Sequence, residues 1–177
     1  MRTTPHLPCL RLGQPYQSLN HSEVIDYRDG TIRATLSQVN PGVIRRDLKK
    51  IGSARAALQK FTSIELLEIC KKAGDIFLHD DLPIGLDGLV QSPEEYVGTL
   101  SSTSGLPHVM VRRNMEKIHH ALSHMSTILN GLTRGLDLEV LDRGYGEQSW
   151  SPVCFHPTTK ALGLVMPSNS PAVNSLW

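Results

Sequence analysis

Ala161-Leu162-Gly163-Leu164-Val165-Met166, followed directly by Pro167-Ser168-Asn169-Ser170-Pro171, is the stretch that decides how this chain is read. Six consecutive apolar residues bounded by turn residues spell a strand covered on both faces, as in a parallel sheet. In open α/β sheets the turn after such a strand is where ligands sit. A second apolar stretch, Ala172 to Trp177, then begins, too short to hold a helix alone. The expectation is a first βα unit, and hence the front of a larger protein.

Immediately upstream the apolar period is two. Leu136, Leu138 and Val140 alternate with Asp137 and Glu139, and Val153 and Phe155 alternate with Cys154 and His156. This predicts an antiparallel strand pair over 136–158. Further back the period lengthens to that of a helix. Val111, Met115, Ile118, Leu122, Met125, Leu129 and Leu132 form a stripe in steps of four and three, which predicts one long helix from about Pro107, ended by Gly131 and Gly135.

Two capping boxes mark earlier helix starts: Thr62-Ser63-Ile64-Glu65, and Ser92-Pro93-Glu94-Glu95 with proline at the first helical position and an end near Gly105. Asn40-Pro41 is a third start, and Ile44, Leu48, Ile51, Leu58 and Phe61 follow at helical spacing. Residues 40–135 therefore read as helical. In 1–39 the period is weak. Asp29-Gly30 suggests a hairpin turn, with a strand from Thr31 to Leu36. The segment 159–177 holds the buried strand and its turn.

The whole-chain composition narrows the class. With 18 basic and 17 acidic residues the formal charge is +1, and 40% of residues are hydrophobic. That describes a globular chain with no electrostatic footprint for nucleic acid or a membrane surface. No apolar run reaches the length of a membrane span, and the first residues lack a signal-peptide core. Cys9, Cys70 and Cys154 are odd in number and widely spaced, which argues for reduced thiols in a cytoplasmic setting.

Few residues elsewhere suggest chemistry. His120 and His124 are four apart on the long helix, with His119 adjacent, but no third ligand is evident for a metal. Asp80-Asp81 and the trio Asp137, Glu139 and Asp142 read as solvated charge. Gly144-Tyr145-Gly146 is too short for a phosphate-binding loop. Cys70, on a helix's apolar face, and Cys154, in an expected strand, read as structural thiols. On composition alone, Pro167–Pro171 suits a simple turn.

The segment His156 to Pro171 also resembles the "P-x-G-V-V-G-V-I-x-P-W-N-x-P" motif of the aldehyde dehydrogenase superfamily. Ser168 at the tryptophan position is closer to the acylating, coenzyme A-linked members and acyl-CoA reductases. Ala54 to Leu78 is similar to the family's "A-R-A-A-F…" helices, and Ser104-Gly105-Leu106-Pro107 falls where the family has "S-G-K-P". The resemblance runs from about Gln38 onward. It implies an α/β fold: helical N-terminal part, antiparallel strand pair, and first unit of a dinucleotide-binding sheet.

It further implies an NAD- or NADP-dependent oxidation of an aldehyde, or reduction of an acyl thioester, in a homo-oligomeric parent. Asn169 matches the amide that bonds the oxyanion on the nucleophilic cysteine, and Met166, Pro167 and Ser168 match positions lining the cofactor. The family's glycine motif, glutamate and nucleophilic cysteine would fall beyond Trp177, so the 177-residue chain alone should be catalytically silent. The alternative is a non-catalytic helical interaction module, which the regular stripe from Val111 to Leu132 would serve.

Overall fold

The computed structural model describes residues 4–166, a mixed α/β arrangement with seven helices and small sheets among those residues. Strand β1 (His6–Leu7) is followed by a hairpin of β2 (Cys9–Arg11) and β3 (Gln14–Tyr16), then β4 (His21–Ile25) and β5 (Ile32–Ser37). β5 is the centre of a three-stranded sheet, parallel to β1 and antiparallel to β4. The expected hairpin around Asp29-Gly30 is present, with Gly30 at φ +73° and its N–H donated to the Asp26 carbonyl.

Asn40 caps α1 (Pro41–Leu48) by accepting from the Val43 N–H at 3.0 Å. The apolar series from Ile44 to Phe61 is not one helix: a turn at Lys49-Lys50 separates α1 from α2 (Ile51–Leu58). The Thr62 capping box opens α3 (Ser63–His79), with both reciprocal bonds made. A hairpin of β6 (Leu82–Ile84) and β7 (Leu89–Gln91) follows, a pair of strands inside the 40–135 segment that reads as helical. Gly85 and Gly88 both take positive φ there, and Gly85 lies against the His6 carbonyl where no side chain would fit.

The Ser92 capping box opens α4 (Pro93–Ser104), and Gly105 closes it in the left-handed conformation. The long helix is divided at His124 (φ −111°) into α5 (His108–Ser123) and α6 (Met125–Thr133). The inner stripe nonetheless does what its period requires. Val111, Met115 and Ile118 are buried, and Val111 and Met115 pack with Val97, Phe77, Leu78, Tyr96, Leu100 and Leu106 into the core between α3, α4 and α5. Phe77 and Tyr96 meet edge to face at 5.5 Å. Gly74 allows α3 to approach α5 closely beside Leu122.

Two expectations for the C-terminal part need correction. Leu136 to Val140 is not a strand: it is a turn leading into α7 (Glu139–Arg143). Leu136 and Val140, four apart, are both buried, and the Asp137 carboxylate accepts the Glu139 N–H at 3.0 Å in a tight local turn. Five residues satisfy period two and period four alike, and here a local turn closed by the Asp137 side chain competes with the extended ladder. The antiparallel pair lies later, as β8 (Tyr145–Gln148) and β9 (Ser151–Cys154).

The second correction concerns Ala161–Met166, which forms no strand and is exposed along its length. Leu162 is 82% exposed and Val165 99%. A strand inside a parallel sheet needs a neighbour on each side for its N–H and C=O groups, and no described strand pairs with this run. Among the described residues no helix is long and apolar enough to cross a membrane.

Candidate functional site

The site expected from the sequence centres on Met166 to Asn169. Met166 is half-exposed, at the end of the uncovered apolar run. Pro167, Ser168 and Asn169 lie outside the described residues.

The segment leading to this site is held from behind. Gly144 ends α7 in the left-handed conformation, and its carbonyl accepts the Phe155 N–H at 2.8 Å, closing the base of the β8–β9 hairpin. Gly146 in β8 lies directly over the buried side chain of Val140, with no room for a Cβ. Asp142 of α7 reaches back 79 residues to the start of α3, accepting from the Ser63 N–H at 2.9 Å and its hydroxyl at 2.7 Å. A carboxylate at a helix N-terminus meets unpaired N–H groups and the positive end of the helix dipole. Together these contacts tie α7 to the helical core.

The histidines do not converge on a metal. His120 and His124 stack at 4.2 Å, but the His124 Nδ1–H is donated to the His120 carbonyl at 2.9 Å. His119 turns elsewhere, its Nε2 2.8 Å from Asp75 on α3, with His79 edge-on at 5.9 Å. Among the described residues no group of three or more His, Cys, Asp or Glu side chains could hold a metal ion. Cys9 donates to the Ser37 carbonyl, Cys70 is half-buried, and Cys154 is exposed on β9. None of these thiols is disulfide-bonded.

The most strongly organised polar cluster surrounds Asp26, at the end of β4, and the sequence reading did not single it out. Its carboxylate is fully buried, yet it accepts from Arg28 Nε and Nη2 at 3.0 and 2.8 Å and from Arg33 Nε and Nη2 at 3.1 and 2.6 Å. Hydrogen bonding from the Arg28 side chain is the main cause that holds this carboxyl far below the usual carboxylate range. Desolvation opposes it; the Arg28 N–H, Arg33 and Ser102 add to it. Next to it the Tyr27 N–H bonds the Ser102 carbonyl of α4 at 3.0 Å. Both guanidinium groups use their donors on one side, a pattern that fixes structure and leaves the carboxylate no lone pair aimed at a substrate. The legible signal was three charges, Asp26, Arg28 and Arg33, on and beside a hairpin turn.

A groove of about 440 Å³ runs between α3 and α6. Leu67, Leu122, Leu136 and Leu138 line it along with Glu68, Lys71 and Asn130. The Ser123 hydroxyl, also on its wall, is buried without a protein partner. These side chains form no nucleophile–base pair.

No protein-family model matches the chain, and neither a curated protein nor a solved structure is significantly similar to it.

Proposed function

We propose that this chain supplies the N-terminal part of an NAD(P)-dependent oxidoreductase acting on aldehydes or acyl thioesters. The observation that carries the proposal is the solvent-facing apolar run Ala161–Met166, set directly before the Pro167-Ser168-Asn169-Ser170-Pro171 motif. Six adjacent apolar residues left in water have a strong drive to be covered. Pairing between parallel strands would cover them and satisfy their backbone as well.

In this reading Asn169 donates its side-chain amide to the oxygen on which negative charge develops during acyl transfer. A neutral donor fixed in advance stabilises that charge without reorganising at the moment of reaction. Ser168 leaves space beside the nicotinamide by being small. Met166 is apolar and accessible, which suits contact with the face of a nicotinamide ring. NAD or NADP, when bound, accepts or supplies the hydride. The nucleophilic cysteine would come from residues outside the sequence described, so residues 1–177 alone should not turn over substrate.

The other function class, a helical interaction module, draws support from the α3–α4–α5 core, which is packed without any contribution from 161–166. One experiment separates the two. The product of the entire open reading frame containing this sequence is assayed for NAD(P)H-coupled aldehyde oxidation and acyl-CoA reduction. Turnover with both a cofactor and an aldehyde or thioester supports the oxidoreductase. A frame with no cysteine-bearing continuation and no turnover overturns it in favour of the module.

A further inference from the structure

The whole-chain charge of +1 conceals a local asymmetry. Between Pro41 and Phe61 lie Arg45, Arg46, Lys49, Lys50, Arg55 and Lys60 against one acid, Asp47. Six of 18 basic residues and one of 17 acidic ones fall in this segment, which carries +5 while the rest of the chain carries −4. Asp47 is moreover engaged already, its two oxygens each 2.7 Å from the Arg11 guanidinium.

The same segment is poorly covered. Neither α1 nor α2 buries a residue. Ile44 and Leu48 are 48% and 52% exposed, and Leu58 and Phe61 are exposed to a similar degree. At about 100° per residue, Ile44 and Leu48 share one side of α1, whereas Arg45, Arg46 and Lys49 fall on its flanks and back. The β2–β3 hairpin extends the apolar side. Leu10 and Leu12 line a shallow groove of about 280 Å³ together with Val43, Ile44, Leu48 and Ile51. Beside it is a hollow of about 290 Å³ edged by Arg46, Lys50 and Tyr16, and the two share Arg11, Leu12 and the Arg11-paired Asp47 as a common wall.

We propose that this face, α1 and α2 with the β2–β3 hairpin, docks on an anionic lipid surface and lies in the plane of the interface. Aliphatic residues on one side and exposed cations in excess of acids on the other are what such an interface selects, since its headgroups are negative and its acyl boundary apolar. A nucleic acid would be served by the cations but would leave Leu10, Leu12, Ile44 and Leu48 in water. Charge summed over the whole sequence gave no hint of this, because sixteen acidic residues elsewhere offset the segment.

The test is co-sedimentation of the full 177-residue chain with vesicles of phosphatidylcholine alone and of an equal mixture with phosphatidylglycerol. The chain should bind the mixed vesicles, bind the neutral ones far less, and be released by salt. Arg46→Gln with Lys50→Gln should weaken binding roughly thirtyfold, taking each lost cation at about five- to sixfold. Ile44→Ser with Leu48→Ser should weaken it too. All four side chains are exposed, so helix content by circular dichroism should not change, and Arg45→Gln with Lys49→Gln is a second charge pair should the first misfold. Equal binding to neutral vesicles, no binding to the mixture, or full binding by both charge variants would overturn the proposal. So would tight, salt-sensitive binding to duplex DNA or polyglutamate that ignores the serine substitutions.

Discussion

Arg33 Nη2 lies 2.6 Å from Asp26 Oδ2, and Arg28 Nη2 approaches the same oxygen to 2.8 Å from the other side of the turn. The carboxylate between them has no exposed surface. A buried charge of this kind is tolerated because its donors are fixed, and losing the charge while the arginines remain leaves them without their partner.

Asp26→Asn should therefore lower the melting temperature at neutral pH by several degrees. The pH dependence gives the sharper readout. A carboxyl whose folded pKa lies below its unfolded value contributes stability above the unfolded value, near 3.9, and loses it as pH falls toward the folded one. The parent should lose stability progressively as pH falls below about 4, while Asp26→Asn should lose less over the same range. Thermal unfolding from neutral to acid pH measures both; parallel curves would remove Asp26 from the account.

At the other end of the chain, Gly146 has no space for a side chain because Val140 fills it. Gly146→Ala should cost about 1–3 kcal/mol by overpacking. Val140→Ala alone should also destabilise, since Val140 is 1% exposed, but in the double variant the two costs should fall short of additive. A urea-denaturation cycle reads that coupling, and strict additivity would mean that the hairpin shifts freely away from α7.

His120 and His124 should prove to be stacked surface groups. Replacing both with Gln should change stability by no more than about 0.5 kcal/mol, and zinc should not raise the melting temperature of the parent. The ring nitrogen that donates to the His120 carbonyl is not free to ligate while that bond stands. A zinc-induced rise that the double replacement abolishes would restore a metal site.

Signals confined to one or two turns of chain were the legible ones. Asn40, Thr62 and Ser92 cap where their side chains suggest, because each bond closes within three residues. The stripe through Val111 and Met115 faces the core because helical period alone selects a side. What needed distant partners was not legible. Leu136–Val140 satisfies two periods, and the helix that follows is held by Asp142 bonding Ser63, 79 residues back. An apolar run such as Ala161–Met166 states that it should be covered but not by what. Its strand character, like the roles given to Pro167, Ser168 and Asn169, rests on neighbours that a single segment does not specify. The Asp26 cluster was missed because spacing shows three charges and cannot show that one is buried.

The functional proposal is most exposed at Asn169. In the product of the whole reading frame, Asn169→Ala should lower kcat for aldehyde oxidation or acyl-CoA reduction while leaving cofactor affinity nearly unchanged. The amide is assigned to the developing oxyanion and not to the ground-state dinucleotide, so the loss belongs in kcat. Removing one such donor costs roughly a hundredfold to a thousandfold, about 2.7–4 kcal/mol. Asn169→Asp should be at least as damaging, since it sets a negative charge beside the one being stabilised. Ser168→Ala should be tolerated, because that residue is assigned only the task of being small. Steady-state kinetics paired with cofactor titration decides the matter. Should Asn169→Ala keep near-parental kcat, Pro167–Pro171 is a turn and nothing more, and the oxidoreductase proposal loses the residue on which its chemistry depends.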